Sequence, residues 1–116
     1  MTGYERGAIV LVWFPNSDQQ TFKKRPAIVV QADELNTGLP QVVIAMITSN
    51  LSRRGHPSRI FVARDTADGH AAGLLTDSVI MADNLATIRL EAVARTLGHF
   101  AKSADLDSAL KLTLGL

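Results

Sequence analysis

The chain has 116 residues, 47% of them hydrophobic and 20% charged, with a formal net charge of +1 and no cysteine. That length suits one domain around one core, and the composition excludes a disordered chain. No apolar run approaches a membrane span, and the absence of cysteine excludes a disulfide framework and a thiolate metal site, so a cytoplasmic protein with no membrane partner is expected.

The charge is unevenly spread. Residues 1–64 hold eight Lys/Arg against four Asp/Glu, whereas residues 65–116 hold four against seven. Lys23, Lys24 and Arg25 form one basic cluster, and Arg53, Arg54, His56 and Arg59 form a second. A polyanion could be gripped between the two if the fold brings them together. So modest a footprint suits short or single-stranded nucleic acid better than non-specific duplex binding.

In chain order, Gly7 precedes AIVLVWF, a near-continuous apolar run that predicts a strand covered on both faces and ended by Pro15. The run lacks a small-residue cleavage site, so no secretory signal is expected. Asn16, Ser17 and Asp18 predict a turn that opens a polar loop, long for a hairpin. Next comes KKRPAIVVQ. Pro26 has no N–H and biases Arg25 toward extended geometry, which predicts Arg25 as the hinge between that loop and a strand through Ile28, Val29 and Val30. A solvated strand entrance would carry the same charges.

Ala32 to Gly38 predicts a short helical turn, with Asp33 as N-cap and Gly38 as stop. Val42 to Ile47 predicts another apolar strand, ending in Thr48, Ser49 and Asn50, a trio that is also ordinary turn chemistry. Leu51 to Arg59 contains Gly55 and Pro57 and predicts an exposed basic loop before a strand from Arg59 to Val62. Arg95 to Phe100 reads as a last strand. Ser103 to Leu114 then predicts a helix with Ser103 as N-cap, Asp105 and Asp107 in the first turn, and Gly115 as stop. Leu106, Ala109, Leu110 and Thr113 would form its inward face.

His56, His70 and His99 have no paired spacing that would hold zinc, so no metal site is expected. Trp13 and Phe14 end the first strand, where one of them could stack a base or serve as core or dimer contact. There is no phosphate-binding glycine loop, no GxSxG elbow and no internal repeat.

The pieces GAIVLVWFP, KKRPAIVV, VIAMITSNLS and GLLTDSVIMADNLATI, in that order, resemble the MazF/PemK/Kid family of toxins from bacterial toxin–antitoxin pairs. The resemblance runs along nearly the whole chain and implies a single toxin domain over residues 1–116. It implies a mainly β fold, an SH3-like small β-barrel with a C-terminal helix, and a homodimer. It also implies a sequence-selective endoribonuclease that cuts single-stranded RNA without metal or other cofactor. In that reaction the ribose 2′-hydroxyl attacks the adjacent phosphorus and expels the 5′-oxygen of the next nucleotide, leaving a 2′,3′-cyclic phosphate. A cognate antitoxin would neutralise the toxin.

By the same resemblance, Arg25 matches the family's functional arginine and Thr48 the hydroxyl that meets the scissile phosphate. A planar guanidinium suits two phosphoryl oxygens at once. Asp83 matches an acidic position that some members pair with an arginine two residues earlier, where this chain has Met81. Asp83 is therefore either the base or a structural carboxylate. Ser17, Asp18, Lys24, Ser49, Asn50, Arg53 and Asn84 are the expected RNA contacts. The alternative is a catalytically inactive barrel that binds a protein partner, a reading to which Met81 gives some weight.

Overall fold

The computed structural model describes residues 4–116. Six strands form one antiparallel sheet: β1 (Ala8–Pro15), β2 (Phe22–Val29), β3 (Gln41–Thr48), β4 (Arg59–Val62), β5 (Ser78–Arg89) and β6 (Val93–His99). Their spatial order is β4-β5-β3-β2-β1-β6. A six-residue helix α1 (Ala67–Ala72) follows β4, and α2 (Ser103–Leu114) ends the chain.

Strand alternation sorts the apolar residues onto two faces. Ile9, Ile28, Ala45, Ile47 and Ile80 point to the side on which α2 lays Leu106, Ala109 and Leu110, with Phe100 between them. Val10, Val12, Ala27, Val29, Val42 and Ile44 form a second cluster on the opposite side, called the far face below. Ile9, Ile28, Ile44 and Ile80 have no exposed surface, each contributing about 1.5–3 kcal/mol by burial. Two apolar faces explain why β1 and β3 read as continuous hydrophobic runs.

Helix α1 packs against β6, where Gly98 is required: a Cβ there would collide with the carbonyl oxygen of Ala71. Thr66 caps its start, its hydroxyl accepting from the Gly69 N–H at 3.1 Å. Gly73 ends it in the left-handed conformation at φ 70°. The sequence reading had assigned neither this helix nor β5.

Other expectations need adjustment. The strand that carries Arg25 begins at Phe22, so Arg25 is an interior residue paired with Val12 and not a hinge. The cause is the hairpin: β1 and β2 stay paired out to Pro15 and Phe22, leaving only residues 16–21 as loop. Pro26 is tolerated because β2 pairs with β3 only from Ala27 onward, so its outer half is an edge.

The helical turn expected at Ala32 to Gly38 is absent. Glu34 and Asn36 have φ of 57° and 52°, and the Asp33 carboxylate accepts from the Arg6 backbone N–H at 2.8 Å instead of capping a helix. In α2 the bounds and the Gly115 stop are as expected, but Lys102 holds the N-cap position, without a side-chain cap.

Candidate active site

The far face carries the basic and hydroxyl residues of interest. On β2, Arg25 shares this face with Ala27 and Val29, because residues two apart in a strand point the same way. On β3, Thr48 follows Ile44 and Met46 on it. Ala27 pairs with Met46, so the same register carried two residues further sets Arg25 across from Thr48. Arg25 is exposed and has no hydrogen-bond or ion-pair partner among the described residues. Its five N–H donors face solvent.

Thr48 is half-buried, and its oxygen accepts the Asn50 backbone N–H at 3.1 Å. That bond leaves the hydroxyl hydrogen free to donate to a phosphoryl oxygen. Asn50 is occupied differently. Its carboxamide oxygen caps a single 3-10 turn at Leu51–Arg53, accepting from the Ser52 N–H at 3.2 Å and hydroxyl at 2.7 Å. Ser49 is exposed beside it.

β3 and β4 run in the same direction with β5 between them, so the segment joining them must cross β5. It does so over the far face. The Arg53 carbonyl accepts from Arg59 Nη1 at 3.1 Å, and the Arg54 guanidinium lies over the Phe61 ring, 5.3 Å from its centre. The second basic cluster is therefore on the same face as Arg25, with Thr48 where the crossover begins.

Within this crossover the His56 ring is tied to Ser58. Its Nδ1 lies 3.1 Å from the Ser58 N–H and 2.7 Å from the Ser58 hydroxyl. A backbone N–H can only donate, so Nδ1 is the acceptor and Nε2 carries the proton.

Asp83 owes its position to a break in register. Met46 pairs with Met81, yet Ala45 pairs with Leu85, so Ala82, Asp83 and Asn84 bulge out of β5 without partners on β3. The bulge delivers the Asp83 carboxylate to Arg59 in a two-pronged pair, Nη2 to Oδ2 at 2.8 Å and Nε to Oδ1 at 3.3 Å. Hydrogen bonding from Arg59 holds the Asp83 carboxyl below the usual carboxylate range, although partial burial opposes it. Arg59 is the register partner of Met81. The guanidinium that position 81 lacks is thus supplied by the neighbouring strand. Asn84 is exposed on the same bulge.

The remaining expected contacts are dispersed. Asp18 accepts from the Thr21 N–H at 3.0 Å, the Gln20 N–H at 2.9 Å and the Thr21 hydroxyl, which lowers its pKa and spends both oxygens inside its own loop. Ser17 is exposed at that loop's tip. Lys24 points to the opposite side from Arg25, its ammonium 4.8 Å from the Trp13 ring centre. Trp13 is 43% exposed, so it is not a core residue of this chain. Lys23, not the expected Lys24, shares the face of Arg25.

A recess of about 260 Å³ lies between β4 and the two helices, with Phe61 at its rim, and presents Asp105 and the ion pair of Asp68 with Lys102, so it offers a polyanion no excess of positive charge. Among the described residues no three His, Asp or Glu side chains converge as metal ligands. No helix of the described residues is long and apolar enough to cross a membrane.

Residues 5–114 match the family model of PemK-like, MazF-like toxins of type II toxin-antitoxin systems. The chain is 30% identical over 105 residues to Endoribonuclease MazF2 of Mycobacterium bovis and to Endoribonuclease MazF6 of Mycobacterium tuberculosis, covering 88% of each chain. Among solved structures, the Mycobacterium tuberculosis toxin MazF-mt6 is 25% identical with a TM-score of 0.72, over 94% of this chain and 97% of that one. A MazE–MazF structure from Deinococcus radiodurans shares the fold at 19% identity, with a TM-score of 0.73 and 97% of both chains covered. The chain belongs to the PemK-like, MazF-like toxins of type II toxin-antitoxin systems.

Proposed function

We infer that this toxin is a sequence-selective endoribonuclease that cuts single-stranded RNA on its far face without a metal ion. The observation that carries the reading is Arg25, without a side-chain partner among the described residues, across from Thr48 in a chain 30% identical to proteins named as endoribonucleases. The 2′-hydroxyl attacks the adjacent phosphorus, its proton leaves, and the P–O bond to the 5′-oxygen of the next nucleotide breaks as that oxygen takes up a proton. The products are a 2′,3′-cyclic phosphate and a 5′-hydroxyl. Negative charge grows on the non-bridging oxygens, where the Arg25 guanidinium takes two of them and the Thr48 hydroxyl donates to one. Asp83 enters as the carboxylate that holds Arg59, and Lys23, Arg53 and Arg54 supply countercharge to flanking phosphates.

The family model describes toxins of toxin–antitoxin systems, so a cognate antitoxin is the protein partner, covering the cationic far face with acidic chain. The toxin works as a homodimer in the cytoplasm. Leu112, Leu114 and Leu116, exposed at the end of α2, are apolar surface that a second copy would cover.

The test is incubation of the purified protein with long single-stranded RNA in EDTA, followed by identification of the new ends. Discrete cuts with 2′,3′-cyclic phosphate, lost in Arg25→Ala, are expected. Uncut RNA, or cuts that need added divalent metal, would overturn the reading.

A further inference from the structure

Phe61 is out of place in its strand. Its neighbours Ile60 and Val62 pack into the core beneath α2, whereas Phe61 is 42% exposed. Its position ties it to the site, since Phe61 pairs with Val79 and Val79 with Thr48. The ring therefore stands two strands, about 10 Å, from the Thr48 hydroxyl on the same face. Arg54 lies over the ring, and Arg59, two residues before it in β4, points to the same side. Arg53 is the next residue along the crossover. A partly exposed aromatic plane with the Arg54 guanidinium over it and Arg53 beside that arginine fits a nucleobase, whose flat face needs stacking and whose phosphates need positive charge. An apolar peptide side chain would need a pocket on this face, and the recess beside Phe61 lies on the helix side of β4 instead.

We propose that Phe61 is a base-stacking subsite for single-stranded RNA, one that seats a base near the scissile phosphate and contributes to sequence selectivity. The Arg54 guanidinium gives up its place over the ring and closes on the base from outside, using its own flat face. This rests on the far face being the RNA site. It adds a stacking contact that the phosphate-directed residues cannot supply, because phosphates are the same at every nucleotide.

The test uses single-stranded 2′-O-methyl oligonucleotides, which cannot be cut by 2′-oxygen attack, carrying 2-aminopurine at each position in turn. Binding to the parent and Phe61→Tyr proteins is expected to quench the fluorescence at one position. Phe61→Leu should lose that quench and bind about tenfold more weakly, within the range for losing one stacked base. Unchanged thermal melting of both variants shows that the exposed site was altered without loss of fold.

If Phe61→Leu binds RNA as the parent does with the same quench, the stacking subsite is wrong while the ribonuclease reading stands. If it weakens only the complex with an antitoxin, Phe61 is a protein contact and the proposal fails. If the parent cuts long RNA yet binds no oligonucleotide through the far face, the siting of both is overturned.

Discussion

Arg25 and Arg59 stand on the same face of one sheet and differ in what they hold. The Arg25 side chain has no hydrogen-bond or ion-pair partner among the described residues, while Arg59 makes two hydrogen bonds to Asp83 and a third to the Arg53 carbonyl. A guanidinium with its donors open has the chemistry a phosphate needs, which is the role proposed for Arg25. One already neutralised by a carboxylate is a brace, here tying the β5 bulge to the crossover that carries Arg53 and Arg54. Charge counting alone makes the two arginines equivalent; their partners divide catalysis from positioning.

The comparison breaks most sharply at Arg25. Arg25→Ala should lower kcat at least about a hundredfold, as loss of a transition-state charge donor does, with the circular dichroism spectrum unchanged because the side chain is exposed. An Arg25→Ala protein that cut RNA as fast as the parent would show that the free guanidinium is not the one that matters. Thr48→Val comes next. It keeps the shape and removes the hydroxyl, so about a tenfold loss in kcat is expected, together with a small loss of stability from the Asn50 N–H left without its acceptor. Equal kcat in Thr48→Val would take the hydroxyl out of the reaction.

Asp83→Asn sharpens the division. Removing a true general base costs about a hundredfold to ten-thousandfold and erases the acid limb of the pH–rate profile. Removing a brace loosens the crossover, so the expected result is a rise in KM of about fivefold, with kcat and the shape of the profile from pH 5 to 9 nearly kept. The direction of the pKa agrees. Asp83 is held below its ordinary value by Arg59, so the pair is fully formed above the unfolded carboxylate pKa of about 3.9 and is lost only as pH falls through the lower folded value. Its titration lies outside the neutral range in which the enzyme works.

Much of this was legible in the chain. Five of the six strands, the C-terminal helix and the order of the motifs follow from apolar runs, Pro and Gly punctuation and helix-end chemistry, all local signals. The arrangement on one face was not, and the reasons are specific. Whether Lys24 joins Arg25 depends on where β2 begins: once Phe22 starts the strand, alternation turns Lys23 and Arg25 to one side and Lys24 to the other. The Arg59–Asp83 pair depends on a three-residue bulge 24 residues further along the chain, which no local periodicity announces. Helix α1 was hidden because six residues, four of them Ala or Gly and one a histidine, carry almost no amphipathic signal.

The smallest effect belongs to Asp18, which sequence position alone would rank among the RNA contacts. Both its oxygens are engaged by Thr21 and Gln20, and these bonds hold its pKa below the usual carboxylate range. The sign follows as for Asp83: the loop is braced at neutral pH and loosens only in acid, as the pH falls through the lowered folded value. Asp18→Asn keeps one acceptor oxygen for the two N–H groups, so it should change kcat/KM less than about twofold at pH 7. A direct role in RNA recognition predicts otherwise, because a carboxylate that accepts from a base cannot be replaced by a carboxamide without changing which base is preferred. Sequencing the cut sites of Asp18→Asn separates these cases. Unchanged sites place Asp18 with Asp83 among the braces, and altered sites move the β1–β2 loop to the side of Arg25, where side chains meet the substrate.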